Sequence, residues 1–205
     1  MENMITLEIP KSVGDPFLPD PTLLDYYKDA EDRIYWLEGE VDDSTLDLVK
    51  TIMRCNKEDA GVDPAERKPI KIFIDTVGGD VQVMWTLINA IKISQTPVHT
   101  IVYCTALSAG AHILAAGHRR FAFPGATILV HSGSRQFSGD AEKVEATKRY
   151  YDNLCKKTNE AFISDTNVSA KDLKRKGAAE WYISAEEAVE LGIVDAIVSD
   201  FCEVL

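Results

Sequence analysis

The sequence predicts an α/β fold built from repeated strand and helix units around a largely parallel sheet. Three times, an apolar strand pattern leads into a turn and then into apolar residues at helical spacing, starting near Arg33, Ile70 and Val98. The 205 residues, 45% hydrophobic and 27% charged, match one globular domain with a sizeable core. Strands that alternate with helices form β-β-α or βαβ units, and parallel sheets place ligand sites at the carboxyl ends of their strands.

The first unit follows a proline-rich start. Residues 1–22 contain four prolines and little periodicity, which predicts an arm or loop that gains order only by packing on something else. A strand is expected from Arg33 to Glu38 and a helix from about Ser44 to Cys55. The charged stretch 56–68 is expected to be a surface loop.

The second unit carries a pair of glycines where its strand ends. The strand at 70–75 leads to Gly78-Gly79, and a helix is expected from about Val81 to Ser94. Glycines allow the backbone to approach a ligand closely and to point its N–H groups at an oxyanion.

The third unit places Ser108 between a strand and a helix. The strand at 98–104 gives way to small residues, and apolar residues at helical spacing follow Ser108. A serine here would lie beside free backbone N–H groups and the positive end of the helix dipole, where a nucleophile can be activated. The alternative is a serine that only caps the helix.

Two short strands follow, Arg120 to Phe123 and Thr127 to His131, joined by Pro124-Gly125. A histidine at a strand end is positioned by the sheet, as a general base must be. A serine, a histidine and a glycine pair are components of acyl-transfer catalysis. Since all three follow strand ends, they are expected to converge.

The last third of the chain is mostly helical. A helix from about Ala141 to Ser164 is longer than usual, so it is expected to project from the core and pack against another chain; the alternative is a helix that lies over its own domain. The remaining expectations are a short helix from Ser169, a helix that opens at Ile183 with a capping box from Ser184 to Glu187, and a closing strand from Ile193 to Val198.

Composition narrows the class of protein. A net charge of -11 argues against nucleic acid or an anionic membrane as the main partner. The four cysteines are widely spaced without a C-x-x-C pair, which favours reduced thiols in a cytoplasmic protein, and no secretory signal is expected. Ile93 to Gly117 contains no Lys, Arg, Asp or Glu, but polar residues and Pro97 predict a buried strand and helix rather than a membrane span.

Four segments, in order, carry a family resemblance. They are KIFIDTVGGDV, ALSAGAHILAAG, FAFPGATILVHSG and YISAEEAVELGIVDAI. Together they resemble ClpP, the proteolytic subunit of the Clp protease, from about Asp32 to Val198. The resemblance implies a ClpP/crotonase-type fold of β-β-α units with a projecting long helix. It also implies an N-terminal arm at 1–31 and a single peptidase domain at 32–205, with a handle-like loop and helix at 132–180.

The resemblance also implies roles for individual residues. Ser108 would be the nucleophile, His131 its general base, and the backbone N–H groups of Gly79 and Ala109 the oxyanion hole. The third triad position, an aspartate in the family, is Glu180 here, whose side chain is one methylene longer. The activity implied is that of a serine endopeptidase that needs no metal or cofactor.

Family members assemble as two stacked seven-membered rings around an internal chamber, with the long helix joining the rings. A hexameric AAA+ unfoldase is the usual partner, and proteins or peptides are the substrates. Three alternatives stay open: a phage prohead-type protease of ClpP-like fold, a crotonase-type acyl-CoA enzyme, and an inactive scaffold subunit of a ClpP complex.

Overall fold

The computed structural model of the protein describes residues 21–133 and 136–205. These residues form a seven-stranded sheet and seven α-helices. The strands are β1 (Ile34–Val41), β2 (Ile70–Gly79), β3 (Val98–Leu107), β4 (Arg119–Ala122), β5 (Thr127–Val130), β6 (Trp181–Ser184) and β7 (Ala196–Ile197). The helices are α1 (Pro21–Glu31), α2 (Leu46–Glu58), α3 (Val81–Ile93), α4 (Ala109–Ala115), α5 (Ala141–Asp165), α6 (Ala170–Lys176) and α7 (Ala185–Glu190).

The sheet is mostly parallel, which confirms the predicted fold class. Its strand order is β1-β2-β3-β4-β7, with every neighbouring pair parallel. β3 is shared by two neighbours: His99 to Val102 pair with β4, and Thr105 to Leu107 pair with β5. β6 runs antiparallel to β5. This division of β3 brings β5 next to the carboxyl end of the central strand.

Apolar residues pack on both faces of the central strands. The larger cluster joins the sheet to α2, α3 and α4 and includes the fully buried Ile72, Leu87 and Ile113. A smaller cluster on the opposite face includes Phe73 and Ile101. Side chains alternate between faces along a strand, so β2 buries Ile72 on one face and Phe73 on the other. Burial on both faces explains its continuous run of apolar residues.

The long helix α5 leaves the core along most of its length. Of its 25 residues only Thr158 and Phe162 are buried, and both lie near its carboxyl end. There the indole N–H of Trp85 donates to Thr158 Oγ1 at 2.9 Å, and Lys92 pairs with Asp165 at 2.7 Å. The helix therefore projects from the domain, as predicted, whereas its packing against another chain stays a prediction.

Several elements differ from their predicted bounds because strand pairing continues further. β2 runs through the glycine pair and β3 reaches Leu107. Ile183, expected to open a helix, lies in β6 because it pairs with Ile128, and the helix begins at Ala185. The capping box of Ser184 and Glu187 is present.

The two ends of the domain also differ from expectation. The closing strand is limited to Ala196–Ile197. Residues 21–31 of the predicted arm form α1, which the sequence pattern did not predict, and residues 1–20 of the arm lie outside the described residues.

The long uncharged stretch from Ile93 to Gly117 is divided mainly between β3 and α4. Across residues 21–133 and 136–205, no helix combines the length and hydropathy needed to cross a bilayer. Cys55, Cys104, Cys155 and Cys202 are free thiols.

Candidate active site

Ser108 lies in the turn between β3 and α4, with an unusual backbone conformation. Its φ of 53° and ψ of -114° are rare for a residue other than glycine, and such outliers gather at functional sites. The Ser108 N–H donates to the carbonyl of Leu129 at 2.9 Å, which ties the turn to β5. Although Ser108 occupies the N-cap position of α4, its side chain makes no capping hydrogen bond. The hydroxyl is therefore available for another partner.

That partner is His131, the residue that follows β5. The distance between Ser108 Oγ and His131 Nε2 is 2.8 Å, the length of a good hydrogen bond. Both residues depend on one strand pairing, because Leu107 of β3 lies beside Leu129 of β5. The hydroxyl can donate to an unprotonated Nε2, which is the arrangement of a nucleophile with its base.

The glycine pair allows β2 to lie against the Ser108 turn. Gly78 has a φ of +90°, and a Cβ there would lie 2.7 Å from the Leu107 carbonyl oxygen and 2.8 Å from Ser108 Cβ. Gly79 has a φ of +155°, and a Cβ there would overlap the backbone of Val41. Both positions therefore need glycine, for conformation and for space.

A cavity of about 830 Å³ opens beside Ser108 and His131. Gly79 and Ala109 also line it. Ala109 is the first residue of α4, where a backbone N–H has no acceptor within the helix. The backbone N–H groups of Gly79 and Ala109 therefore lie at the same cavity as the serine and the histidine. Together these groups are suited to acyl transfer.

The far wall of the cavity comes from α5 and from the loop before it. Tyr151, Cys155 and Asn159 contribute from the helix, and Gln136 and Phe137 from the loop. An extended peptide could therefore be enclosed between the domain and its projecting helix.

Glu180 has a different partner from the one expected. Its carboxylate accepts a hydrogen bond from the Tyr182 hydroxyl at 2.8 Å, and it is exposed. Within residues 21–133 and 136–205, the His131 ring is hydrogen-bonded to Ser108 alone. The structure therefore brings Ser108 and His131 together and leaves Glu180 beside Tyr182.

The cavity wall also contains a second histidine, which the sequence pattern did not single out as a site residue. His112 lies one turn along α4 from Ser108 and packs edge-on against Phe162, with ring centroids 5.0 Å apart. Burial, with a smaller effect from His131, lowers the pKa of His112 to about 4, so it is neutral at pH 7. His112 is four residues after Ser108, and residues four apart on a helix lie on the same face, so this spacing predicts that His112 lies on the same side of α4 as Ser108.

Among the residues with described positions, no group of three or more His, Cys, Asp or Glu side chains is arranged to hold a metal ion.

A protein-family match spans almost all of this fold. The sequence model of the family described as Clp protease matches residues 22–200. The match begins within α1 and continues past β7, so it includes every strand of the sheet and the cavity at the carboxyl end of β3. The chain belongs to the Clp protease family and is a ClpP-like peptidase.

Proposed function

We propose that the protein is a serine endopeptidase in which Ser108 is the nucleophile and His131 the general base. The observation that carries the proposal is the 2.8 Å hydrogen bond between Ser108 Oγ and His131 Nε2 at the wall of a peptide-sized cavity. Membership of the Clp protease family supports the same reaction class.

In the first half of the reaction, Ser108 Oγ attacks the scissile carbonyl while His131 Nε2 accepts its proton. The oxyanion of the tetrahedral intermediate accepts hydrogen bonds from the N–H groups of Gly79 and Ala109. The imidazolium then gives its proton to the leaving amine, and the acyl-enzyme remains. In the second half, His131 activates water, and Ser108 is regenerated as the leaving group.

Glu180 is the proposed third member of the triad. It immediately precedes β6, the strand paired with the one that leads to His131. A carboxylate at His131 would orient the ring and stabilise the imidazolium.

Assembly belongs to the same proposal. The exposure of most of α5 supports a second subunit packed along it, within two stacked seven-membered rings that enclose the cavities. A AAA+ unfoldase is the proposed partner, and proteins or peptides are the substrates. A cytoplasmic location is supported by the four free thiols.

The second candidate is an inactive scaffold subunit, favoured by the pairing of Glu180 with Tyr182. Without a carboxylate at His131, a serine peptidase loses much of its rate. A prohead-type protease without an unfoldase and a crotonase-type acyl-CoA enzyme stay as further alternatives.

The test is labelling of the purified protein with a fluorophosphonate probe, which reacts with activated serines. We expect labelling of the parent, its loss in Ser108→Ala, and its retention in Ser132→Ala. Ser132 is a matched control because it also lines the cavity but donates its hydroxyl to the Gly177 carbonyl at 2.8 Å. A folded parent that stays unlabelled would favour the scaffold, and thioester hydrolysis that survives in Ser108→Ala would favour the crotonase-type reaction.

A further inference from the structure

The pairing of β5 with β6 brings the backbone of Glu180 close to that of His131 in space. Val130 pairs with Trp181 in this antiparallel ladder. His131 directly follows Val130 and Glu180 directly precedes Trp181, so both residues lie next to the last pair of the ladder. Directly opposed residues in an antiparallel pair have Cβ atoms about 5 Å apart and side chains on the same face. A glutamate side chain can cover that distance by rotation about its own bonds.

Tyr182 competes for the same carboxylate. Tyr182 lies two residues further along the chain, and its hydroxyl donates to Glu180 Oε2 at 2.8 Å. This hydrogen bond is also the first cause of a raised pKa for Tyr182, followed by the charge of Glu180. In this structure the Glu180 carboxylate is therefore hydrogen-bonded to the tyrosine and not to the histidine.

We propose that Tyr182 is a positioning residue that holds Glu180 away from His131, and that loss of this hydrogen bond allows Glu180 to complete the triad. The inference rests on the proposed function and adds a control on its rate. The pairing of Val130 with Trp181 keeps the neighbouring residues His131 and Glu180 at the same end of the ladder, so the change we propose is a rotation of the Glu180 side chain.

The expected effect is moderate because the hydrogen bond lies at the surface. Tyr182 is 57% exposed and Glu180 is exposed, so water competes for both the hydroxyl and the carboxylate. A hydrogen bond to a charged group in such a place shifts an equilibrium by about threefold to tenfold. The change in rate should fall in the same range.

The experiment measures the rate of fluorophosphonate labelling in four forms of the full chain: the parent, Tyr182→Phe, Glu180→Gln and the double variant. We expect Tyr182→Phe to label about threefold to tenfold faster than the parent, and the double variant to show no gain over Glu180→Gln. Tyr26→Phe is the matched control, because Tyr26 is also 57% exposed but lies on α1, and its labelling rate should equal that of the parent.

The pH dependence of the labelling rate distinguishes a positioning role of Tyr182 from a general effect of the substitution on the structure. A carboxylate close to His131 favours the protonated ring. The lower midpoint of the labelling profile should therefore move to higher pH in Tyr182→Phe and return in the double variant.

An unchanged or slower rate in Tyr182→Phe, or a gain that persists without the Glu180 carboxylate, would overturn the role of Tyr182 while leaving Ser108-dependent labelling intact. If neither the parent nor Tyr182→Phe is labelled although both are folded, the proposed function and this inference fail together.

Discussion

The backbone of the Ser108 turn depends on the absence of a side chain at Gly78. Ser108 itself has a φ of 53°, and the two closest atoms to a Cβ on Gly78 belong to Leu107 and Ser108. The backbone conformation of Ser108 therefore depends on a glycine at position 78.

Gly78→Ala should lower stability by about 3–5 kcal/mol and greatly slow labelling of Ser108, because it adds a steric clash to an unfavourable φ. Gly39→Ala is the control, since Gly39 has a φ of +76° but nothing within 4 Å of its Cβ position. It should cost about 1–2 kcal/mol and leave labelling unchanged. Urea denaturation and labelling rates measure both effects, and equal losses in the two variants would contradict the steric argument.

His112 should make stability depend on pH. Its pKa of about 4 in the folded protein is below the unfolded value of 6.5, so between these values the unfolded chain binds a proton that the folded protein does not. Stability is therefore lost as pH falls, by about 1–2 kcal/mol between pH 7 and pH 5 from this residue. His112→Gln, which cannot titrate, should reduce the difference in unfolding free energy between these pH values.

His99 and His118, whose pKa values are also lowered by burial, should supply part of the remaining pH dependence of stability. Burial, and then the charge of Arg119, lower the pKa of His99 to about 4, so the variant at His112 should keep part of the pH dependence. His112→Phe should behave like His112→Gln if titration is the cause. A parent-like slope in both variants would show that His112 does not contribute.

At the level of elements, one ion pair joins three parts of the fold. Arg33, just before β1, donates two hydrogen bonds to Asp59 at the end of α2, at 2.7 and 2.8 Å. Asp59 also accepts from Thr96, which precedes β3, at 2.7 Å. The hydrogen bonds of Arg33 are the main reason that the pKa of Asp59 is lowered. The pair holds the carboxyl end of α2 against the amino ends of β1 and β3.

Arg33→Ala should destabilise the protein by about 3 kcal/mol, because it leaves the buried Asp59 carboxylate without its cation. Lys50→Ala removes an ion pair of the same 2.7 Å length, with Asp47, whose two side chains are exposed. That variant should cost less than about 0.5 kcal/mol. Chemical denaturation measures the unfolding free energy of both variants. A similar loss in Arg33→Ala and Lys50→Ala would contradict the argument that burial of Asp59 strengthens the effect of its ion pair on stability.

At the scale of the whole molecule, the domain and α5 have different roles. The sheet and the helices packed on it bury the core, whereas α5 is attached near its carboxyl end and leaves most of its residues exposed. The cavity lies between these two parts. A chain built in this way can enclose its cavity more completely when a second copy covers the helix.

The parent should therefore sediment as a particle of many subunits, and Tyr150→Asp should lower the assembled fraction. Tyr150 lies on α5, is 52% exposed, and a carboxylate there would resist burial against another subunit. Tyr26→Asp, at a tyrosine of similar exposure on α1, should assemble like the parent. Analytical ultracentrifugation measures the fraction, and a monomeric parent would contradict the proposed ring.

The sequence alone determined the α/β class, the parallel sheet and the Clp protease family. Apolar periodicity and turn residues are local features, and they also located the strand ends near Gly78, Ser108 and His131. The carboxyl ends of parallel strands share an edge, so these residues were expected near one another before their distances were known.

Tertiary structure decided which side chains are partners. Ser108 meets His131 because β5 pairs with the end of β3. The Glu180 carboxylate accepts from the Tyr182 hydroxyl, and His112 lines the cavity from α4. The sequence pattern did not predict α1 or β6. Local periodicity specifies which face a residue occupies, but the choice between two hydrogen-bond partners on that face depends on strand register and side-chain rotamers, which are set by long-range packing.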